Sequence, residues 1–297
     1  MKKILLSTLV ASLLITGSYA KESAPKNATV KQVKTIAVNN AKEDMQNHTV
    51  KVVQDAVDSL AYAHDAYAAL EKGHTKEATT KLEKALGKLE VTLASKDAPK
   101  MLPVESSVVI HEFIGSSEDI KKVVTLAKAL LNDDKVQDAK EVLAPLKSEI
   151  VLNVVSLPLA TYPVALKETA KLIHDNKVEE AKVVLATALN TLVGVETVVP
   201  IPLVNATDLI AASAAIVEED PEAAKAHLDA AQEELKIAKY LGYLSKSDVT
   251  YKALDDAISS LKIDIKSKEV KALFTNLENK VKDFTSKIFS SKDEPKK

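Results

Sequence analysis

Apolar positions recur along most of the chain at steps of three and four, the spacing of one helix face, and short polar turns interrupt them. One arrangement occurs four times. An apolar residue precedes a polar turn, an alanine lies eight positions after that residue, and a large apolar residue lies four positions further on. The copies are Leu70, Ala78 and Leu82; Leu131, Ala139 and Leu143; Ile173, Ala181 and Leu185; and Ile216, Ala224 and Leu228. Their turns hold Gly73, Asp133-Asp134, Asp175-Asn176 and Asp220-Pro221. Gly and Asn tolerate left-handed backbone, Asp caps a following helix, and Pro suits a first helical turn. A small alanine lets two antiparallel helices approach, and the leucine one turn on fills the seam. Each copy therefore predicts a helical hairpin. The alanines are unevenly spaced and the Trp/Gly/Tyr signature of tetratricopeptide arrays is missing, which favours a bundle over an open solenoid.

Three segments break the helical period: 101–110, 151–159 and 195–204. Each is rich in valine and isoleucine, carries proline and follows the second helix of a hairpin. Proline ends a helix and β-branched residues favour extended backbone. The expected helices are then about 29–46, 48–72, 75–96, 117–132, 135–150, 163–175, 178–194, 206–218, 221–240, 249–267 and 269–289. The fold class that follows is mainly α: a compact bundle of antiparallel helical hairpins with short extended crossovers, at least one of them expected to pair as β.

The start of the chain changes the picture from fold to destination. Lys2 and Lys3 precede the apolar run from Ile4 to Ile15, and Ser18-Tyr19-Ala20 offers small residues for cleavage. That run is too short to span a bilayer and reads as a secretory signal peptide over 1–20, which places the mature chain in a bacterial periplasm. The chain has no cysteine, so disulfides and thiolate chemistry are excluded. The 40 basic residues are all lysine and balance 42 acidic ones to a net charge of -2. No basic field for nucleic acid results, and the bidentate guanidinium fork is lacking.

Several short stretches together resemble the YfdX family of bacterial secreted proteins. They are Ala144-Pro145-Leu146 through Ile150; Leu157-Pro158-Leu159 with Pro163 and Leu166; Pro200 through Ala206; and Ala238 through Leu244, followed by Tyr251, Leu254, Ile258 and Leu261. The resemblance covers roughly 45–265. It implies a largely helical periplasmic protein without an established reaction, associated with acid and drug stress tolerance and with chaperone-like behaviour. It supplies no functional residues. The resulting organisation is a signal peptide (1–20), a helical lead-in (21–44), a YfdX-like domain (45–267) and an additional amphipathic helix with a polar tail (268–297).

Chemistry-bearing residues are sparse. No two of the six histidines have the i, i+4 spacing of a helical metal site, and no phosphate loop or nucleophile motif occurs, so no metal, cofactor or catalytic residue is expected. His64, next to Asp65, and His111, next to Glu112, are the pH-sensing candidates, because histidine titrates near neutrality. Tyr62, Tyr67, Tyr240, Tyr243 and Tyr251 are candidates to line a groove for a client or ligand, or else seal helix ends with the ring inward. Val270, Phe274, Leu277, Val281, Phe284 and Ile288 form a heptad seam flanked by lysines. That seam has three destinations: folding back on the bundle, self-association, or anionic lipid. The expected function is a non-catalytic, stress-associated protein that binds envelope proteins, as a holdase or adaptor. The alternatives are a small-ligand binder or a homo-oligomer built through the C-terminal helix. No nucleic acid and no transmembrane segment are expected.

Overall fold

The computed structural model describes residues 24–244 and 249–290, with the side chains of 24–244 and 251–281. The expected signal peptide lies outside the described residues. The elements run α1 (Val30–Asn47), α2 (Gln54–Glu71), α3 (Thr75–Ala94), β1 (Met101–His111), α4 (Ser117–Asn132), α5 (Val136–Leu143), β2 (Glu149–Pro158), α6 (Tyr162–His174), α7 (Val178–Leu189), β3 (Val193–Pro200), α8 (Ile201–Ile216), α9 (Pro221–Tyr240), α10 (Val249–Ile263) and α11 (Val270–Ser290). The fold is mainly α. The three extended segments are strands of one antiparallel sheet, in the order β1-β2-β3.

Three hairpin turns share one geometry. Gly73, Asp134 and Asn176 all have positive φ, at 75°, 59° and 58°. The next residue's N–H returns to a carbonyl five positions back: His74 to Ala69 at 2.9 Å, Lys135 to Leu130 at 2.9 Å and Lys177 to Leu172 at 2.8 Å. This left-handed cap closes the first helix and aims the second back along it. The fourth turn is built differently. Asp220 caps α9 by accepting from the Ala223 N–H at 3.0 Å, and Pro221 starts the helix. A Cβ at Gly73 would meet open space, so Gly73→Ala isolates the backbone cost. It is expected to destabilise by about 1 kcal/mol in urea unfolding followed by circular dichroism.

The described residues divide into two compact units, each assembled from separated stretches: 24–47, 109–151, 197–244 and 249–290 form unit 1, and 48–108 and 152–196 form unit 2. Each strand begins in one unit and ends in the other. Unit 2 is a pair of hairpins, α2–α3 and α6–α7, with α2 against α7 and α3 against α6. Its core alternates alanine with large residues: Ala56, Ala63 and Ala66 on α2 and Ala78, Leu82, Ala85 and Leu89 on α3, with Tyr162 and Leu166 from α6. The approach is close enough for the Ser59 hydroxyl to donate to the Ala85 carbonyl of the facing helix at 2.7 Å. Ser213 does the same to Ala224 in the α8–α9 hairpin, also at 2.7 Å.

Unit 1 is built around α8, whose residues 201–206 are all buried. A helix apolar on every side belongs inside a core. Helices α1, α9 and α11 pack on it, α10 packs on α9 and α11, and α4 packs on α9.

The structure corrects four boundaries. Helix α8 starts at Ile201, inside a segment expected to be extended to 204, because Pro200 and Pro202 sit where helix starts have no hydrogen bond to lose. Helix α5 stops at Leu143, well before 150, where Pro145 removes a donor. Helix α7 stops at Leu189 and gives way to β3. Helix α2 starts at Gln54, not at 48, because the preceding residues lie along β1: the Val53 N–H donates to the Pro103 carbonyl at 2.9 Å and the Val50 N–H to the Ser106 hydroxyl at 3.1 Å.

Candidate functional site

The four hairpins place the same repeat positions in different environments. Leu82, Leu185 and Leu228 are fully buried at 0% exposure, as are their alanines, whereas Leu143 is 37% exposed beside a buried Ala139. The residue before the turn behaves alike: Leu70, Ile173 and Ile216 are buried, and Leu131 is 48% exposed. Leu126 and Val136 of the same hairpin are half exposed too, at 50% and 52%. Ala139 is the one buried residue of α5. Among the described residues, then, the α4–α5 hairpin keeps the apolar pattern of its sisters without a helix covering it.

That hairpin is held firmly at its base. Ser116 and Asp119 form a reciprocal cap, with the Ser116 N–H donating to Asp119 at 3.0 Å. These bonds hold the Asp119 carboxyl down at about 2. Glu233 of α9 accepts the Ser117 N–H at 2.7 Å, placing a negative charge on the positive end of the α4 dipole. The exposed face is therefore presented on an anchored element.

The candidate tyrosines are divided between the two units. Tyr62 and Tyr67 belong to unit 2 and pack partly buried on its core, with Lys81 and Lys84 each 5.8 Å from the Tyr62 ring. Tyr240, Tyr243 and Tyr251 belong to unit 1. The Tyr240 ring lies 4.8 Å from the Lys121 ammonium, and the Tyr251 ring 4.6 Å from that of Lys239. Tyr243 accepts from the Ser148 N–H at 3.0 Å and donates to Glu149 at 2.9 Å, so it ties the end of α9 to the start of β2. Burial pushes its hydroxyl pKa up.

Both pH-sensing candidates, His64 and His111, are exposed. Asp65 is engaged by Lys81 at 2.7 Å. The histidine that sequence reading missed is His227. It is buried, its Nε2–H donates to the Ala28 carbonyl at 3.1 Å, and burial pushes its pKa down. Its place opposite the lead-in could not be inferred from spacing along α9.

The C-terminal seam is also internal. Val270, Phe274, Leu277 and Val281 are buried in the core of unit 1. Self-association through these four would require opening that core. The side chains of Phe284 and Ile288 lie outside those described.

A polar cavity of about 120 Å³ lies in unit 1. Lys34 of α1 pairs with Glu234 of α9 at 2.5 Å, and the Asn205 Nδ2 of α8 donates to the other Glu234 oxygen at 3.2 Å. The Asn205 Oδ1 is buried without a partner. Burial pushes the Glu234 carboxyl up, while Lys34 and Asn205 act against that shift. The loop Glu112–Gly115 completes the wall, and its Ile114 is nine-tenths exposed. A second, apolar void of about 10 Å³ holds a water at most. Neither cavity has a tyrosine in its lining. Among the described residues no three His, Asp or Glu side chains are grouped to hold a metal, and no helix is long and apolar enough to cross a membrane.

One further carboxyl is pushed up. Asp208 of α8 is partly buried without a charged partner, and burial pushes it up to about 6. Because its folded pKa lies above the unfolded value, its contribution is fully present below about pH 4 and is lost as the pH rises through about 6. Asp208→Asn is therefore expected to stabilise the protein at pH 7.5 by on the order of 1–2 kcal/mol and to change nothing at pH 3.5. Thermal unfolding at the two pH values checks this.

The YfdX family model matches residues 59–198, from within α2 to the end of β3. This segment belongs to the YfdX family. The chain is also similar to the YfdX of Salmonella Typhi, with 15% identity over 50% of this chain and 93% of that one, at a TM-score of 0.36. Nothing among curated proteins matches. The YfdX segment includes the α4–α5 hairpin, Tyr62, Tyr67, His64 and His111. It excludes Lys34, Asn205 and Glu234 of the polar cavity, and also the stretches Pro200–Ala206 and Ala238–Leu244 of the resemblance read from sequence.

Proposed function

We propose that the chain is an exported, non-catalytic protein that binds other proteins through the exposed face of the α4–α5 hairpin, as a holdase or adaptor in the envelope. The observation that carries this reading is the repeat comparison. Positions equivalent to Leu131 and Leu143 are buried against neighbouring helices in the other three hairpins, yet here they are aliphatic and exposed. Aliphatic residues at such positions are stable companions of a partner helix, and a solvated hairpin gains nothing from them. Unit 2 illustrates the interaction, since its two hairpins bury these positions against each other. The apolar run at the start of the chain supports export, and the YfdX resemblance supports a binding role in stress.

The test is a photo-reactive residue placed in turn at Leu131, Val136 and Leu143, with exposed Lys128 as the control position on the same hairpin. Irradiation in living cells should yield adducts at the three apolar positions and not at Lys128. Mass spectrometry of the adducts separates a broad set of envelope proteins, one stoichiometric partner, and a second copy of the chain. The same weak background at all four positions overturns the proposal.

A further inference from the structure

Helices α5 and α7 carry one sequence in two settings. Residues 136–143 read Val-Gln-Asp-Ala-Lys-Glu-Val-Leu, and residues 178–185 read Val-Glu-Glu-Ala-Lys-Val-Val-Leu. Four of the shared positions, Val136, Ala139, Lys140 and Leu143 with their counterparts Val178, Ala181, Lys182 and Leu185, are spaced i, i+3, i+4 and i+7. They form one row on one helix face. The turns ahead match as well, with Asp134 and Asn176 at positive φ and Lys135 and Lys177 donating five residues back. We infer that the α5 row takes a folded amphipathic helix of another protein, laid on it as α2 lies on α7, with small residues along the contact and a carboxylate just past its last apolar residue. The inference rests on the α4–α5 face being a binding surface, as proposed above, and names the kind of partner it takes.

The α7 row shows what covers such a row. Helix α2 packs against α7, Val178 packs on the core of unit 2, and Ala181 and Leu185 are buried. On α5 only Ala139 is buried, while Val136, Lys140 and Leu143 are exposed. The positions that α2 buries are Ala56, Ser59, Ala63, Ala66, Ala69 and Leu70. Small side chains of this kind let two helix backbones approach. An extended or unfolded segment has no continuous face of small residues to offer. The chain's own α2 is packed between α3 and α7, so the occupant of the α5 row comes from outside the molecule.

Charge fixes the end of the partner helix. The Lys182 ammonium lies 3.7 Å from the carboxylate of Glu71, the residue that follows Leu70 in α2. Lys182 also holds Glu179, three residues earlier on its own helix, at 2.9 Å. Lys140 is the matching ammonium on α5, but Gln137 stands where Glu179 stands on α7. The other positions three and four away from Lys140 are Val136, Leu143 and Ala144. Its own helix therefore offers Lys140 no carboxylate at pairing distance along the face. A partner helix with an acidic residue at the place of Glu71 complements it, and a basic one meets like charge.

The probe is a synthetic peptide with the sequence of α2, residues 54–72. Ala61→Lys joined to Asp65 by a lactam holds it helical, and both positions are exposed in α2. It is titrated into the full chain carrying a photo-reactive residue at Leu143, and peptide adducts are counted after irradiation. Saturable labelling is expected, half complete on the order of 10–100 μM, as suits a contact of one helix face. Glu71→Lys in the peptide and Lys140→Glu in the chain should each weaken labelling about threefold, and the two together should recover it to within about twofold. A peptide without the lactam and with Ala63→Pro, which breaks the helix, should label about tenfold less or worse. Labelling that does not saturate by about 1 mM overturns the inference. So does equal labelling by the proline peptide, and so do charge changes that have no effect or fail to recover when combined. In-cell adducts at Leu143 that consist of a second copy of the chain or of unfolded clients assign the face to another occupant and overturn it too. If the peptide fails while in-cell adducts persist at Leu131, Val136 and Leu143, this inference falls and the proposed function stands; without in-cell adducts both fall.

Discussion

Truncating Leu185 to alanine should destabilise unit 2 by roughly 2–5 kcal/mol, whereas truncating Leu143 should cost under about 1 kcal/mol. The two residues hold the same position in the hairpin repeat, four residues after its alanine, and both alanines are buried. The difference lies in what faces them. Leu185 is fully enclosed among Leu70, Leu82, Tyr162 and Leu166 in one core, so its removal leaves a cavity that close packing cannot refill. Leu143 already stands 37% in water, and the truncated side chain leaves mostly solvent behind. Urea unfolding followed by circular dichroism gives the two values, and hydrogen exchange assigns the loss to α6–α7 or to α4–α5. Leu143→Gln joined to Leu131→Gln should in addition leave the fold intact and abolish adduct formation at Val136. A cost at Leu143 equal to that at Leu185 would show that the α4–α5 face is covered, and the proposed binding surface would fall with it.

The repeat was legible because its geometry is local. A turn residue that tolerates positive φ, an alanine eight positions after the preceding apolar residue and a leucine one turn later all act within one hairpin. The sequence carries them directly, as Gly73, Asp134 and Asn176 do. Which hairpins face each other is a non-local fact. Nothing in Leu143 as a letter distinguishes it from Leu185, so the exposed hairpin was invisible before the structure. Helix α8 was misread at its start for a related reason: Ile201-Pro202-Leu203-Val204 has strand-like composition, but a proline in a first helical turn removes no bond, and burial on every side favours aliphatic residues in either conformation. The tyrosines were grouped by type, while their side chains meet separate neighbours: Ser148 and Glu149 for Tyr243, lysines for Tyr62, Tyr240 and Tyr251, and the core of unit 2 for Tyr67. The polar cavity draws on α1, α8 and α9 and on the loop before α4. Lys34 and Glu234 are two hundred residues apart, a separation at which no spacing rule operates.

Lys34→Met should lower stability by about 2–4 kcal/mol at pH 7.5 and by much less near pH 4. Methionine keeps most of the apolar stem and removes the charge, so the variant isolates the ion pair. The Glu234 side chain is 6% exposed and lies 2.5 Å from the Lys34 ammonium and 3.2 Å from the Asn205 Nδ2. Burial pushes the Glu234 carboxyl up, neighbouring Glu233 adds to that, and Lys34 and Asn205 oppose it. A carboxyl whose folded pKa is raised contributes stability that is complete below the unfolded range, about pH 4, and lost as the pH climbs through the folded value. Removing Lys34 raises the folded value further, so the loss, which sets in above the unfolded value in both proteins, continues to higher pH and is deeper at neutral pH. Below the unfolded range Glu234 is protonated in both states and the missing ammonium matters little. Urea unfolding of wild type and variant at pH 7.5 and pH 4 measures the difference. The double replacement Lys34→Met with Glu234→Leu should recover most of the loss at pH 7.5, since what destabilises is the lone buried carboxylate and not the absence of the pair. A deficit of equal size at both pH values would assign the effect to lost packing of the lysine stem and remove the ion pair from the account of how α1 is held on α9.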